Sequence, residues 1–322
     1  MKYLVTGGLG FIGHKVVQLL KTQGHHIVIV DNATDYGIIP QHELNYLLEA
    51  RKASISPFVL HNADIADSNT IEYLTKHYEI ELVIHLASFP RQKVVNANPQ
   101  LGSRTMSEGL LNLLELSVKH QVKKFVYVSS SMVYGNFRDT YFDGVDENHP
   151  CHPIGQYGIM KLAGEWLVKD YTRRTGMAHT ILRPSAVYGP LDVEDRVIAK
   201  FMLTAMRGGT LKVNGASETL DFTYVDDAAD GIVAATLSEH KNKTYNITKS
   251  HSKTLLAAAE LAVKIVGKGT IEVRDKDADF PSRGALNIDA ARRDLGYNPK
   301  VDIDEGFQIY YDWLKNSFYK ND

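Results

Sequence analysis

Thr6-Gly7-Gly8-Leu9-Gly10-Phe11-Ile12-Gly13 lies between an apolar run at residues 3–5 and a segment over 11–22 whose apolar residues recur at helical spacing. The stretch satisfies Gly-x-Gly-x-x-Gly counted from Gly8 and Gly-x-x-Gly-x-x-Gly counted from Gly7. Glycine permits the tight turn and lets the backbone approach a pyrophosphate, whose charge is met by free amides and the positive end of the helix. A glycine turn alone carries little weight. Strand, glycines and helix in this order, inside a βαβ unit, read as a dinucleotide cradle. The second apolar run, 27–30, leads into Asp31, close to the ~20-residue offset at which an acid grips the adenosine ribose. A carboxylate there accepts from both ribose hydroxyls and repels a 2′-phosphate. No lysine or arginine lies between Asp31 and Arg51, so the expected cofactor is NAD rather than NADP.

Outward from this unit, strand-like runs at 3–5, 27–30, 58–61, 82–86, 125–128 and 180–182 alternate with helix-length segments at 11–22, 42–52, 68–77, 101–120 and 157–174. Near-continuous apolar strands separated by helical crossovers predict an α/β fold, a doubly wound parallel sheet covered on both faces. After Arg183-Pro184 the pattern loosens. Helices at 196–206, 226–237 and 254–266 and strands near 222–225 and 244–247 are assigned to a smaller lobe. The expected division is a nucleotide-binding domain over 1–183 and a smaller mixed α/β lobe over 184–322, with the chain free to cross between them. A last helix over 305–314 carries Phe307, Tyr310, Tyr311 and Leu314 at the spacing of a packed face.

The 322 residues carry 36 basic and 38 acidic side chains with no long block of either sign, which leaves no footprint for nucleic acid or an anionic membrane. No apolar run approaches the ~18–20 residues of a membrane span. Cys151 is the single cysteine and cannot form an intramolecular disulfide, and the amino terminus enters a strand-like run at once. These features predict a cytoplasmic protein.

Ser129-Ser130-Ser131 follows the fifth strand, so a hydroxyl can project from the sheet edge that holds the cradle. Tyr157 and Lys161 open the next helix, four residues apart and on one face. A free tyrosine titrates near pH ~10, so a phenolate at pH ~7 needs roughly 4 kcal/mol of electrostatic help, part of which an ammonium can supply. On residues 6–13, Asp31, Asp64, His85-Leu86-Ala87, the run 130–135, Tyr157/Lys161, Arg183-Pro184-Ser185-Ala186-Val187-Tyr188-Gly189-Pro190 and Asp221-Phe222-Thr223-Tyr224-Val225-Asp226, the chain resembles the extended short-chain dehydrogenase/reductase family. Within it, the chain is similar to the NAD-dependent nucleotide-sugar epimerases and dehydratases.

The resemblance implies NAD contacts at Gly7, Gly10, Phe11, Ile12, Gly13, Asp31, Asn32, Asp64, Ile65, Leu86, Ala87, Ser88, Tyr157, Lys161 and Pro184. It implies Tyr157 as the proton acceptor for a sugar hydroxyl while hydride leaves the same carbon, Lys161 as the partner that holds the nicotinamide ribose and lowers the Tyr157 pKa, and Ser130 as the orienting donor, with Ser131 the alternative. Met132 stands where dehydratases and decarboxylases of the family have Glu and 3,5-epimerases have Cys. Methionine neither gives nor takes a proton at neutral pH. What remains is oxidation and reduction at one carbon: a nucleotide-sugar 4-epimerase, or alternatively a net dehydrogenase of an unusual nucleotide sugar such as a GDP-heptose. A protein of another class, sensing NAD without turnover, is the third reading, and retention of Tyr157 and Lys161 argues against it.

Three departures from the family pattern bear on substrate: Met106 and Ala186 stand where many relatives have Asn, and Leu220 where a diphosphate-binding Arg is usual. Arg283 resembles the family's second diphosphate-binding arginine. Arg91 and Tyr188 are further candidates for contact with the nucleotide sugar; a solvated loop and a packed core tyrosine are the competing readings. His149-Pro150-Cys151-His152 reads as a turn leading into the Tyr157 helix, and no metal site is expected. The helices at 101–120 and 157–174 are apolar on more than one face, with Leu110, Leu111, Leu113, Leu114, Leu162, Trp166 and Leu167. In relatives this pair builds a four-helix dimer interface, so a homodimer is expected, with burial inside a monomer the competing explanation.

Overall fold

The computed structural model describes residues 1–138, 144–193 and 195–320. Seven parallel strands form the central sheet; each is short, most are apolar, and the inner ones are buried on both faces, with exposure toward the β3 and β11 edges. In chain order the first half contains β1 (Lys2–Thr6), α1 (Gly13–Thr22), β2 (His26–Val30), α2 (Gln41–Ile55), β3 (Val59–His61), α3 (Ser68–His77), β4 (Leu82–His85), α4 (Gln92–Ala97), α5 (Pro99–Ser103), α6 (Gly109–Lys119), β5 (Lys124–Val128), α7 (Gln156–Thr175) and β6 (Ala178–Pro184). The second half contains β7 (Val187–Tyr188), α8 (Val197–Met206), β8 (Thr210–Asn214), β9 (Thr219–Asp221), β10 (Thr223–Tyr224), α9 (Val225–Leu237), β11 (Lys243–Ile247), β12 (Ser252–Thr254), α10 (Leu255–Val266), β13 (Thr270–Arg274), α11 (Asp289–Leu295) and α12 (Ile303–Asn316).

The sheet runs β11-β6-β5-β4-β1-β2-β3. Strand order therefore reverses between β1 and β4, and a crevice opens there at the carboxyl ends of the strands, the usual ligand position in such sheets. Side chains alternate across the sheet as the two-residue period requires. Tyr3, Val5, Ile27 and Ile29 pack with Val16, Val17, Leu20 and Ile232 on one face, and Leu4, Val28 and Val30 pack with Ile71, Leu110, Leu114 and Val168 on the other. A separate core gathers Ile198, Met202, Leu211, Phe222, Ala258, Phe307, Tyr310 and Leu314, so the face read on the last helix does pack inward.

Two sequence expectations are corrected. The strand and helix assigned to the smaller lobe at 244–247 and 226–237 belong to the main sheet: β11 pairs in parallel with β6, from Lys243↔Thr180 to Ile247↔Pro184, and Ile232 of α9 enters the core beneath β1. Sequence order concealed this because the return follows an excursion of some sixty residues. The single helix expected over 101–120 is interrupted by a π-turn at Arg104–Glu108. Beyond it Gly109 lies so close to Ile65 that a Cβ would stand 2.5 Å from Ile65 Cγ1. The extra residue of the π-turn re-aims the preceding turn, and such bulges favour functional sites; Thr105 here faces the central cavity.

One buried ion pair fastens α7 to the sheet. Glu165 accepts from Arg183 Nε at 2.9 Å and Nη2 at 2.6 Å, and from Ser129 Oγ at 2.6 Å. Arg183 Nη1 donates to Tyr134 Oη at 2.9 Å, and Tyr134 donates to Asn246 Oδ1 of β11 at 2.7 Å. Removing one partner of a buried pair strands the other charge. Arg183→Met is therefore expected to lower stability by about 3–5 kcal/mol, measured as a reduced urea midpoint at unchanged slope. The double change Arg183→Met/Glu165→Met should recover part of that loss.

Candidate active site

A cavity of about 1040 Å³ fills the crevice and continues beneath the second half of the chain. Pockets for small ligands and cofactors run from roughly 300 to 1,000 Å³, so this one lies at the upper end of that range. The glycine loop forms one wall. Gly7 has φ +74° and lies against β4, where a Cβ would stand 2.6 Å from Ala87 N. Gly13 opens α1 so close to Gly7 that a side chain there would overlap the Gly7 carbonyl oxygen. Only glycine keeps this turn tight and leaves the cradle open, which is what a pyrophosphate requires. At the end of β2, Asp31 accepts from Leu9 N at 2.9 Å and Ala33 N at 2.8 Å, and burial raises its pKa. Each carboxylate oxygen keeps a second lone pair for a ribose hydroxyl.

All the residues expected at the cofactor border this cavity, from Gly7, Gly10, Phe11, Ile12 and Gly13 through Asp31, Asn32, Asp64, Ile65, Leu86, Ala87 and Ser88 to Pro184. Asp64 accepts from Ala66 N at 2.9 Å and lies 3.4 Å from Arg104. Leu86 N and Ala87 N both donate to Thr6 O at 3.0 Å, which fixes the loop after β4 beside the glycines. Arg51 was not anticipated here. It reaches the cradle from α2, but Nη1 donates to Leu9 O and Nη2 to Leu191 O, so it does not offer itself to a 2′-phosphate.

The reacting groups converge on the same cavity from β5 and α7. Gly155, with φ +80°, begins α7 without a side-chain cap, and Gln92 of α4 supplies one: Tyr157 N donates to its Oε1 at 3.2 Å. Ser130 follows β5, accepts from Met132 N at 3.2 Å, and lines the cavity together with Tyr157. Burial raises the Tyr157 pKa, while the Ser130 hydroxyl and the Arg196 and Arg283 guanidinium charges pull it back. Ser129, by contrast, is turned beneath the site to Glu165. Lys161 is buried, donates to Val128 O at 2.8 Å, and lies 5.3 Å from the centre of the Tyr127 ring and 5.9 Å from that of Tyr157. Burial lowers its pKa to about 7, with the Glu165 carboxylate one turn on acting the other way.

Met132 lines the cavity beside these groups, and Met106 is buried against Phe89, Val94 and Val95, with Tyr157 packed on them. Arg91, with φ +68°, also lines it and is ion-paired with Asp195; Lys93 pairs with Asp277 at 2.8 Å. Arg283 borders the cavity, its Nε buried without a hydrogen-bond partner and its pKa lowered to about 10 by burial. Tyr188 borders it too, but its ring packs edge-on against Phe222, Tyr224 and Phe307, and its hydroxyl fills the space beside Gly306. The hydroxyl thus serves core packing. Among the described residues no group of three or more His, Cys, Asp or Glu is placed to hold a metal ion, and no helix is long and apolar enough to cross a membrane.

Glu165, Arg196, Gln92 and Arg51 escaped the sequence reading. A Lys161/Glu165 pair one turn apart was visible, but its inward direction was not. Arg196 lies in a loosely patterned stretch, and its place opposite Phe11, 5.8 Å from the ring centre, comes from tertiary packing.

The family described as NAD dependent epimerase/dehydratase matches residues 3–248. The chain belongs to that family. Among relatives of this epimerase/dehydratase are an uncharacterized UDP-glucose epimerase of Bacillus subtilis, 31% identical over 95% of both chains, and a UDP-glucuronate 4-epimerase of Thermodesulfobacterium geofontis, 28% identical over 98% of this chain and 96% of that one. A UDP-glucuronic acid 4-epimerase from Bacillus cereus, solved with UDP-glucuronic acid and NAD, superposes with a TM-score of 0.89 at 29% identity, covering 98% of this chain and 99% of that one. The epimerase/dehydratase described here is an enzyme with NAD as its cofactor, and the glycine cradle and Asp31 fit that dinucleotide.

Fluorescence titration should find NADH bound at least about tenfold more tightly than NADPH. Asp31→Ser should narrow the gap by weakening NADH. Equal affinities for the unaltered protein would contradict the reading of Asp31.

Proposed function

We propose that the enzyme is a nucleotide-sugar 4-epimerase that oxidises and re-reduces one sugar carbon. The observation that carries this reading is that Ser130, Met132 and Tyr157 line one cavity, with a methionine where a second acid or base would stand beside Tyr157. Tyr157, as phenolate, accepts the proton of the C4 hydroxyl, and Ser130 holds the same oxygen by hydrogen bonding. NAD, when bound, takes the hydride from C4 and supplies it again. Once the 4-keto sugar has turned its other face, Tyr157 returns the proton and the epimer leaves. Lys161 holds the nicotinamide ribose, while Arg196 and Arg283 favour the Tyr157 phenolate electrostatically. Arg283 and Arg91 are assigned to the phosphates and sugar.

UDP-sugars lead as substrates because the relatives' names specify UDP-glucose and UDP-glucuronate. The lack of an arginine at Leu220 makes the nucleotide the point most in need of measurement. Incubation with UDP-, GDP- and dTDP-sugars without added NAD, followed by proton NMR, should show the 4-epimer. Stoichiometric growth of absorbance at 340 nm with release of the ketone would instead support a net dehydrogenase. Tyr157→Phe should lower kcat by about 10²–10⁴-fold, the range for loss of a general acid–base, with a much smaller change in KM; undiminished turnover would overturn the mechanism.

The enzyme is further proposed to be a cytoplasmic homodimer. Ile159 and Trp166 of α7 and Leu111 of α6 are exposed, Trp166 by 64%, although their helices are otherwise packed on the sheet. Sedimentation at micromolar concentration should give a dimer, and Trp166→Glu should shift it toward monomer; a monomeric unaltered protein would refute the assembly.

A further inference from the structure

Arg51 occupies the last turns of α2 and is only 5% exposed. Its two terminal nitrogens bridge parts of the chain that are far apart in sequence: Nη1 donates to Leu9 O of the glycine loop at 3.2 Å, and Nη2 to Leu191 O, just beyond β7, at 2.7 Å. Leu191 has φ +68°, a left-handed conformation that leucine keeps only where its surroundings hold it. Next to it Asp192 is 1% exposed, accepts from Val193 N at 2.9 Å and lies 3.1 Å from Arg196 Nε. Among the described residues Arg51 Nε and Asp192 Oδ2 are both buried without a hydrogen-bond partner, and the two charges attract. Leu9, Asp31, Arg51, Asp192 and Arg196 border one cavity, with Arg196 also facing the Phe11 ring.

We infer that Arg51 is a clasp that fastens the chain at Leu191 and Asp192 across the dinucleotide cradle and keeps NAD on the enzyme between turnovers. The glycine loop forms one side of the cradle, and Asp192 and Arg196 face it from the second half of the chain. A guanidinium that donates to both sides at once resists their separation, and the bonds of a charged donor shielded from water are stronger than those of a neutral one. Asp192 balances the buried charge and holds Arg196 in line. The inference rests on NAD as the cofactor and is independent of which sugar is turned over. An enzyme that restores its cofactor within each cycle gains from such retention.

The test is the rate at which bound NAD leaves. Protein loaded with NAD is freed of excess by desalting, and the dinucleotide still bound is quantified over time after acid release. The unaltered enzyme should hold NAD for hours. Arg51→Met should release it at least about tenfold faster, as expected for loss of a hydrogen-bonded charged group. Asp192→Asn, which keeps shape and the Val193 bond, should also release faster, and it stands as the second variant should Arg51→Met not fold. Circular dichroism and melting of the cofactor-free proteins check the fold. A purely architectural Arg51 would lower the melting temperature and leave the release rate where it was. Equal release from the unaltered enzyme and a folded variant overturns the clasp. An unaltered protein that takes up no NAD overturns the cofactor assignment and the clasp with it.

Discussion

The bidentate contact between Arg183 and Glu165 joins the parts of the active site that the chain makes separately. Glu165 lies one turn beyond Lys161 on α7, Arg183 ends β6 beside Pro184, and Ser129 enters from β5. Three elements are thus referred to one buried charge pair, and Tyr134 extends the connection to β11. Two ions taken out of water repay their desolvation only with good geometry and full hydrogen bonding. This pair has both, and it lies directly beneath the reacting groups, so the relative positions of Ser130, Tyr157 and Lys161 depend on it.

Above this floor the cavity carries many charges, and most are already matched. Arg91 with Asp195 and Lys93 with Asp277 are ion pairs between segments that meet only in the folded protein, and Arg196 pairs locally with Asp192 four residues before it. Each pair cancels its own charge, while the lining as a whole keeps an excess of basic over acidic side chains. Arg283 differs in forming no ion pair among the described residues, with Glu218 as its main electrostatic partner. The phenol of Tyr157 is buried in these surroundings, and burial alone opposes its ionisation. Ser130 and two guanidinium groups counter that effect. Lys161 donates to the Val128 carbonyl and lies 5.3 Å from the centre of the Tyr127 ring and 5.9 Å from that of Tyr157.

What the sequence disclosed follows from how local the information is. The glycine loop, Asp31 and the Tyr157/Lys161 spacing are set within a few residues of one another or of a strand end, and each falls at the cavity. The alternation of apolar runs likewise revealed six of the seven strands of the sheet in order. Arg51, Gln92 and Glu165 act through partners 42, 65 and 18 residues away or more, which no local spacing encodes. Tyr188 fits both readings the sequence offered: it borders the cavity, while its hydroxyl packs beside Gly306. The π-turn at Arg104–Glu108 was hidden because its residues suit an ordinary helix equally well.

The return of β11 to the main sheet bears on how the protein can be taken apart. β6, Ala178–Pro184, is buried along its whole length and is flanked by β5 on one side and β11 on the other. A fragment ending at residue 183 would keep the glycine loop and every catalytic side chain named above, yet its last strand would be an open edge with unpaired amides and carbonyls. Such edges recruit other chains. The nucleotide-binding half is therefore no autonomous module: it is sealed only when residues 243–247 have been made, near the end of synthesis, and until then the nascent sheet is exposed to aggregation.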